Sequence, residues 1–422
     1  MSGKSNLSYG WAVVIAAFLI TLVTAGVNYS YDVFFLPIIN EFGWSRGLAS
    51  VVMLVAGITY AITMPFTGML ADRYGYKWML TISTGFLSAG LIITSQMHEL
   101  WQLYLFDGLF VGLSISASFA IPVSLVALWF TRRQGLALGA ATLGISLGTA
   151  VIPLIIAYLI STCGWRTSIL LAGLAVAAIC IPAALLMRRP NASEMQAIAM
   201  DAKSSRGPED QKPPADSGVD TGLSLSEALP TSQFWMLFTI FLFFILGLGL
   251  VMLHMVPYAT DSGMTPVQAA TLLTLIGVFG MGGRLASGLV SDRLGVKPVI
   301  LFCLLILALI TLLIAFYKDA WTFYVFAATF GVVYSGFATM MVRITRQLFG
   351  AKSLGSIFGA VMVADGIGTG VGPWLAGYIF DITGQYQISF IAVAVGLITA
   401  AILTIIIKPA VKKEYPVEYS QT

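Results

Sequence analysis

Long apolar runs alternate with short polar or charged clusters along nearly the whole chain. The runs extend for about 20 to 28 residues, which is long enough for a helix to cross a hydrocarbon core of roughly 30 Å at 1.5 Å per residue. The pattern therefore predicts twelve membrane spans, six before residue 190 and six after residue 230. We place them at 11–38, 46–71, 78–96, 100–130, 135–161, 166–187, 233–259, 266–291, 298–317, 320–345, 354–380 and 386–407.

Composition supports an all-α membrane protein. Of the 422 residues, 58% are hydrophobic and only 10% are charged, whereas a soluble domain carries about 25% charged residues. The expected surrounding medium is a lipid bilayer. The net charge of +3 does not indicate nucleic acid as a partner, because basic residues in membrane proteins report orientation.

The distribution of basic residues predicts how the chain is oriented. With the N-terminus in the cytoplasm, eighteen lysines and arginines lie inside and three, Arg46, Arg166 and Lys318, lie outside. Because each basic residue resists translocation, this bias predicts a multi-pass protein of the cell (inner) membrane with both termini cytoplasmic.

The segment 188–231 is rich in proline, glycine, serine and charge and too poor in apolar residues to offset the entropy of ordering. We interpret it as a flexible cytoplasmic linker whose end forms a short amphipathic helix at the membrane surface. The predicted division is an N-terminal six-helix bundle at 1–187, the linker at 188–231, a C-terminal six-helix bundle at 232–407 and a cytoplasmic tail at 408–422.

An internal repeat relates the two sets of six spans. GMLADRYGYK at 68–77 recurs as GLVSDRLGVK at 288–297, a shift of 220 residues. The same shift pairs Glu41 with Asp261, and it continues into the last helices of each half. One constant offset indicates a duplicated six-helix unit, which suits alternating access through a cavity between two pseudo-symmetric halves.

The two G-x-x-x-D-R-x-G-x-K loops resemble the signature of the major facilitator superfamily, at the matching positions after spans 2 and 8. The resemblance implies that these loops brace the cytoplasmic gate. Physically, the glycines permit a tight turn and each aspartate can meet the positive N-terminus of a neighbouring helix. The predicted gating residues are Gly68, Asp72, Arg73, Gly75, Lys77, Gly288, Asp292, Arg293, Gly295 and Lys297.

Three further segments narrow the resemblance to the monocarboxylate transporters and their bacterial relatives, close to the oxalate/formate exchangers. They are YGWAVVIAAF at 9–18, WFTRRQGLALGAATLGISLG at 129–148 and GMGGRLASG at 280–288. This resemblance implies a carrier of lactate- or pyruvate-like acids with a proton as co-substrate. Two positions depart from it: Tyr29 replaces a lysine and Gly280 replaces an aspartate of the animal members, so their proton chemistry does not transfer residue by residue.

Arg284 is the leading candidate for substrate binding. A charge in the hydrocarbon region costs roughly 2.5 to 3.5 kcal/mol even on permissive scales, so a buried ionisable group calls for a function. Its guanidinium keeps its proton and can hold a carboxylate through two parallel hydrogen bonds. The alternative is a structural ion pair with Asp365.

Two carboxylic acids within the spans, Asp32 and Asp365, are candidates for carrying the coupled proton. The alternatives are a water-exposed side chain for Asp32 and an arginine partner for Asp365. Asp107 is interpreted as a packing or gating residue.

Several uncharged polar and aromatic residues are further candidates for the substrate site. Their hydroxyl, amide and imidazole groups can bind a carboxylate and a neighbouring hydroxyl or keto oxygen, and aromatic rings can form apolar walls. Core packing is the alternative for each of them, since aromatic stripes are common in helix bundles. The polar candidates are Asn28, Tyr29, Tyr31, His254 and Tyr258, and the wall candidates are Tyr334, Phe337 and Phe358.

Other functions receive less support from the sequence. A carboxylate exchanger of the oxalate/formate type needs Arg284 but no titrating carboxylate, and a membrane sensor or channel stays open as a different class. An enzyme is not expected, because there is no G-x-S-x-G or H-E-x-x-H motif and there are only two histidines. We expect no cofactor or metal, and a monomer.

Overall fold

The computed structural model describes residues 2–130, 134–191, 193–195, 222–350 and 352–410, apart from the side chains of residues 2–8, 65, 68, 69, 72, 119, 120, 134 and 135. The described chain is almost entirely helical, and eleven of its helical stretches are long and apolar enough to cross a membrane. One of them contains two spans, because the helix Gln134–Leu186 is interrupted at Gly164, whose φ of 78° and ψ of 164° are not helical. The predicted twelve spans are thereby confirmed.

The first six spans follow the chain in order. Span 1 consists of Ser2–Tyr29 and Tyr31–Phe42, with a break at Ser30. Span 2 is Arg46–Tyr74 and span 3 is Tyr76–Thr94. The remaining bounds are Leu100–Gln102, the π-helix Leu103–Leu109 and Phe110–Trp129 for span 4, and Gln134–Leu186 for spans 5 and 6.

The last six spans repeat this arrangement. A short helix, Leu225–Ala228, precedes span 7 at the position predicted for a surface helix. The bounds that follow are Ser232–Asp261 for span 7, Pro266–Leu294 for span 8, Val296–Phe316 for span 9, Ala320–Phe349 for span 10, Leu354–Val361 with Val363–Thr383 for span 11, and Gln387–Ile406 for span 12.

The 220-residue repeat is visible in the helix ends. Span 2 begins at Arg46 and ends at Tyr74, and span 8 begins at residue 266 and ends at residue 294. The turns after both spans use Gly75 and Gly295 at φ of 92° and 88°, a conformation that favours glycine. The repeated glycines of the loop motif are thus explained by backbone geometry.

With an even number of spans, the chain begins and ends at one side of the bundle. We call this side, which also holds residues 187–191 and 222–231, the linker face, and we call the opposite side the far face. Large apolar side chains cover the outer surface; Leu285 and Trp321, for example, are 73% and 74% exposed. Such a surface is stable in hydrocarbon and not in water.

Spans 2 and 11 approach each other closely on the far-face side of the seam between the halves. A Cβ added at Gly57 of span 2 would overlap the carbonyl oxygen of Gly366 in span 11. Gly355 and Gly359 lie on the same side of span 11, nearer the linker face, and a Cβ there would meet nothing within 4 Å. Spans 2 and 11 therefore diverge towards the linker face.

Candidate functional site

A cavity of about 350 Å³ lies between the two halves. Spans 1, 2 and 4 line it from the N-terminal half, and spans 7, 10 and 11 line it from the C-terminal half. The seam closes it towards the far face. The lining side chains that carry polar atoms are Asn28, Tyr29, Tyr60, Tyr334, Asp365 and Thr369.

The polar groups of the cavity form two clusters. Tyr29 of span 1 interacts with Tyr334 of span 10, so this pair bridges the halves. The Tyr60 hydroxyl of span 2 interacts with the Asp365 carboxyl group of span 11, which forms a second bridge. Each cluster contains one residue from each half, so a ligand between them would contact both halves.

Arg284 lies in a small recess that adjoins the cavity and shares Tyr29, Met252 and Tyr334 with it. Its side chain is partly buried. Among the described residues, no carboxylate lies within 4 Å of its guanidinium nitrogens. The ion pair with Asp365 that was the alternative at this position is absent from the described part of the chain, so the guanidinium keeps its donors for another group.

Aromatic rings form the apolar wall. Phe244 and Phe358 line the cavity. Phe337 does not reach it: the side chain is fully buried and stacks behind Phe244, with ring centroids 3.9 Å apart. The interpretation of Phe337 as a cavity wall is corrected to a packing role, while Phe358 and Tyr334 occupy the predicted position.

The structure places His254 and Tyr258 away from the cavity, which corrects their prediction as ligand-binding residues. His254 is fully buried, with Nε2 2.8 Å from the Pro373 carbonyl oxygen and Nδ1 2.8 Å from the Tyr386 hydroxyl. Tyr258 donates to the Ile314 carbonyl oxygen at 2.7 Å. Both side chains satisfy their polar atoms within the protein, so neither is available to a substrate.

Two predicted residues of span 1 also lie outside the cavity lining. Tyr31 is buried and packs edge-on against Phe35, with ring centroids 6.4 Å apart. Asp32 is fully buried, and both carboxylate oxygens accept from the Val256 backbone N–H at 3.2 Å. The alternative that Asp32 is water-exposed is therefore wrong.

The repeated loop motif is only partly described. The surroundings of Gly68 and the side chain of Asp72 lie outside the described part of the chain. In the second copy, the Asp292 carboxylate accepts from the Arg343 guanidinium at 2.7 Å, where we expected a helix N-terminus. Lys297 donates to the Ile407 carbonyl oxygen at the end of span 12.

Two residues, Tyr60 and Arg46, were missed by reasoning from the sequence. Tyr60 follows Met53 and Gly57 at helical spacing on span 2, so the cavity face of that helix was readable from periodicity. Arg46 was counted only as one of three outside charges, and no local signal revealed its partners, which lie more than 200 residues away.

Comparison with known proteins agrees with this architecture. The chain matches the family description Major Facilitator Superfamily over residues 16–295 and 283–421, which together cover most of its length. The chain belongs to this family. It is therefore a secondary transporter and not an enzyme.

Individual relatives of this major facilitator point to one branch. Monocarboxylate transporter 12 of Rattus norvegicus is 26% identical over 412 residues, covering 94% of this chain and 84% of the relative. Monocarboxylate transporter 6 of Homo sapiens is 26% identical over 416 residues, covering 94% and 80%. The family assignment made from the loop motifs is confirmed.

Solved structures confirm the fold of this major facilitator. A point mutant of the nucleoside transporter NupG superposes with a TM-score of 0.76 at 13% identity, covering 94% of this chain and 99% of that one. A bacterial homologue of the human lysosomal transporter Spinster, inward-facing and unoccupied, gives 0.71 at 16% identity, covering 94% and 96%.

Proposed function

We propose that this transporter carries small monocarboxylates of the lactate or pyruvate type, with a proton as co-substrate, by alternating access to the central cavity. One observation carries the proposal: the Arg284 guanidinium faces a recess of that cavity without a carboxylate partner among the described residues. Such a group holds a carboxylate through two parallel, charge-assisted hydrogen bonds. The names of the relatives, all monocarboxylate transporters, support the substrate class.

Asp365 is the proposed proton carrier. It lines the same cavity as the substrate site and touches Tyr60 of the other half, so its charge can respond both to a bound anion and to the position of the halves. Asp32 is the weaker candidate, because its carboxylate is enclosed between spans 1 and 7 and does not line the cavity.

The remaining features of the proposal concern placement in the cell. Most of the basic residues that the structure describes lie at the linker face, which supports a cytoplasmic linker and cytoplasmic termini in the cell membrane. Both halves of one chain enclose the cavity, which supports a monomer.

Symport of one proton with one monoanion moves no net charge, so the pH gradient would drive it.

The test is uptake of labelled lactate into proteoliposomes with and without an imposed proton gradient, competed by pyruvate, formate and oxalate. We expect saturable uptake that an inward proton gradient accelerates. The Asp365→Asn protein should lose this acceleration and keep lactate counterflow. Counterflow that ignores a pH step in the unchanged protein would instead support an exchanger, and no saturable flux of any short-chain acid would overturn the proposal.

A further inference from the structure

The last turns of spans 1 and 7 carry an acidic residue at the same repeat position, Glu41 and Asp261. Glu41 is held within its own half: its carboxylate accepts from Arg166 at 2.8 Å and from the Trp165 indole. Both partners lie at the start of span 6, so this ion pair can persist whatever the other half does.

The second copy lacks the equivalent cation. The residue 220 positions after Arg166 is Tyr386, which cannot neutralise Asp261. Instead, Arg46 of the N-terminal half reaches across the seam, and its two terminal nitrogens donate to Asp261 at 2.6 and 2.9 Å. The loss of symmetry at one position thus converts a contact within a half into a contact between halves.

A second carboxylate of the C-terminal half adds to this contact between the halves. Asp381, at the far-face end of span 11, accepts from the backbone N–H groups of Arg46 and Gly47 at 2.9 and 2.7 Å. These N–H groups belong to the first turn of span 2, where the helix dipole favours an anion. Two acids of the C-terminal half therefore hold the side chain and the helix start of the N-terminal half.

A hydrogen-bond chain connects this site to the cavity. Arg46 donates to the Tyr386 hydroxyl at 2.8 Å, so that hydroxyl is free to donate to His254 Nδ1 at 2.8 Å. The neutral imidazole then carries its proton on Nε2, which faces the Pro373 carbonyl oxygen at 2.8 Å. Pro373 lines the central cavity.

From these contacts we infer that Arg46, Asp261 and Asp381 form a far-face lock that keeps the two halves together in this conformation, and that Tyr386 and His254 are positioning residues linking the lock to the cavity wall. The inference rests on the proposed alternating access. The far face cannot open while Arg46 stays bound to Asp261 and Asp381, so each transport cycle must break and remake this lock. The Glu41–Arg166 pair has no such role.

The test measures the separation of the halves at the far face directly. Spin labels are placed at Gln96 and Lys318, exposed far-face residues of opposite halves, in a protein whose three cysteines, Cys163, Cys180 and Cys303, are replaced by serine. Pulsed electron paramagnetic resonance then gives the distance distribution in detergent and in lipid discs. We expect the unliganded protein to populate mainly the short distance.

Breaking the lock should lengthen that distance. Arg46→Gln and Asp261→Asn are each expected to raise the long-distance population several-fold, and Asp381→Asn is the second route should either fold poorly. The matched control is Glu41→Gln, which breaks an ion pair of similar length on the same face within one half and should leave the distribution unchanged. It keeps the hydrogen bonds from Arg166 to the Ser95 and Met97 carbonyl oxygens on either side of the label at Gln96. Tyr386→Phe should keep the short distance and abolish any shift caused by adding lactate.

Two results would overturn the inference: unchanged distances in both Arg46→Gln and Asp261→Asn, or an equal opening in Glu41→Gln. The measurement on unliganded protein involves no substrate. A failure of lactate uptake would therefore contradict the proposed function without contradicting the lock, and unchanged distances in an active transporter would do the reverse.

Discussion

Arg284 and Arg46 both lie close to the seam between the halves, but their surroundings differ. Arg46 donates two hydrogen bonds to Asp261 and one to Tyr386, and its guanidinium lies 4.0 Å above the Phe380 ring. Arg284 borders a cavity and has no carboxylate partner among the described residues. The Arg46 guanidinium has its donors bonded to protein groups, so it joins the two halves. The Arg284 guanidinium has donors without a carboxylate partner beside a cavity, so it can bind a substrate anion.

The largest effect is expected at Arg284. Arg284→Ala removes the charge and Arg284→Lys removes the paired donors, and truncating one partner of a buried charge pair costs about 2–5 kcal/mol. We expect uptake of labelled lactate to fall to background in the alanine variant and severely in the lysine variant. Melting temperature and size-exclusion profile serve as folding controls. Wild-type uptake in both variants would show that this arginine does not bind the substrate.

Arg46→Gln should give a different kind of defect. Since its contacts lie outside the cavity, lactate should still bind, while net uptake slows several-fold because the far face no longer closes firmly. Initial uptake rates over a range of lactate concentrations separate slower transport from weaker binding. The maximal rate should fall several-fold, whereas the half-saturating lactate concentration should change less. A pure loss of affinity would contradict the distinction between the two arginines.

The glycines on the seam sharpen the same comparison. Gly57→Ala places a methyl group against the Gly366 carbonyl oxygen, closer than van der Waals contact allows, so it should destabilise the conformation closed at the far face and lengthen the Gln96–Lys318 distance. Gly359→Ala meets nothing within 4 Å here and serves as the control. An unchanged distance in the Gly57 variant, with protein still folded, would count against a tight seam.

A smaller effect is expected at Tyr258. Tyr258→Phe removes a hydrogen bond to a backbone carbonyl in the C-terminal half, which is worth about 1 kcal/mol of stability. We expect a slightly lower melting temperature and an unchanged half-saturating lactate concentration. A marked loss of lactate affinity would restore this residue to the substrate site.

The smallest effect concerns Glu194, beyond the end of span 6. Its carboxylate accepts hydrogen bonds from the Arg188 guanidinium and one from the Asn191 backbone N–H, which lower the pKa of the carboxyl group below its usual value. A lowered pKa in the folded state contributes stability above the unfolded pKa and loses it as pH falls through the folded value. Glu194→Gln should therefore lose less melting temperature than the unchanged protein as the pH falls from ~5 to ~3, the range in which a carboxyl group with a lowered pKa takes up its proton. Equal losses would contradict this contribution.

The sequence predicted the fold well because each span is a separate local signal. Long apolar runs define the helices, and the 220-residue offset relates spans such as Arg46–Tyr74 and Pro266–Leu294 directly. The break at Ser30 within span 1 depends on backbone geometry that hydropathy does not encode.

The site was predicted less completely. Arg284, Tyr29 and Asp365 stood out because polar groups are costly inside a membrane, and the cavity contains or adjoins all three. His254 is also a polar group inside the membrane, but both of its ring nitrogens are bonded to protein groups. The sequence could not show this, because its partner Tyr386 lies 132 residues away in the chain. The free-energy cost of a polar group in the membrane marks a residue as a candidate. Only the fold shows whether its hydrogen bonds are made by the protein or are left for a ligand.

Equilibrium binding of labelled lactate to purified Arg284→Ala and Arg46→Gln proteins, measured by scintillation proximity beside the unchanged protein, tests the central distinction most directly. We predict that Arg284→Ala shows no saturable binding and that Arg46→Gln binds with an affinity close to that of the unchanged protein. Retained binding in Arg284→Ala, or loss of binding in Arg46→Gln alone, would contradict it.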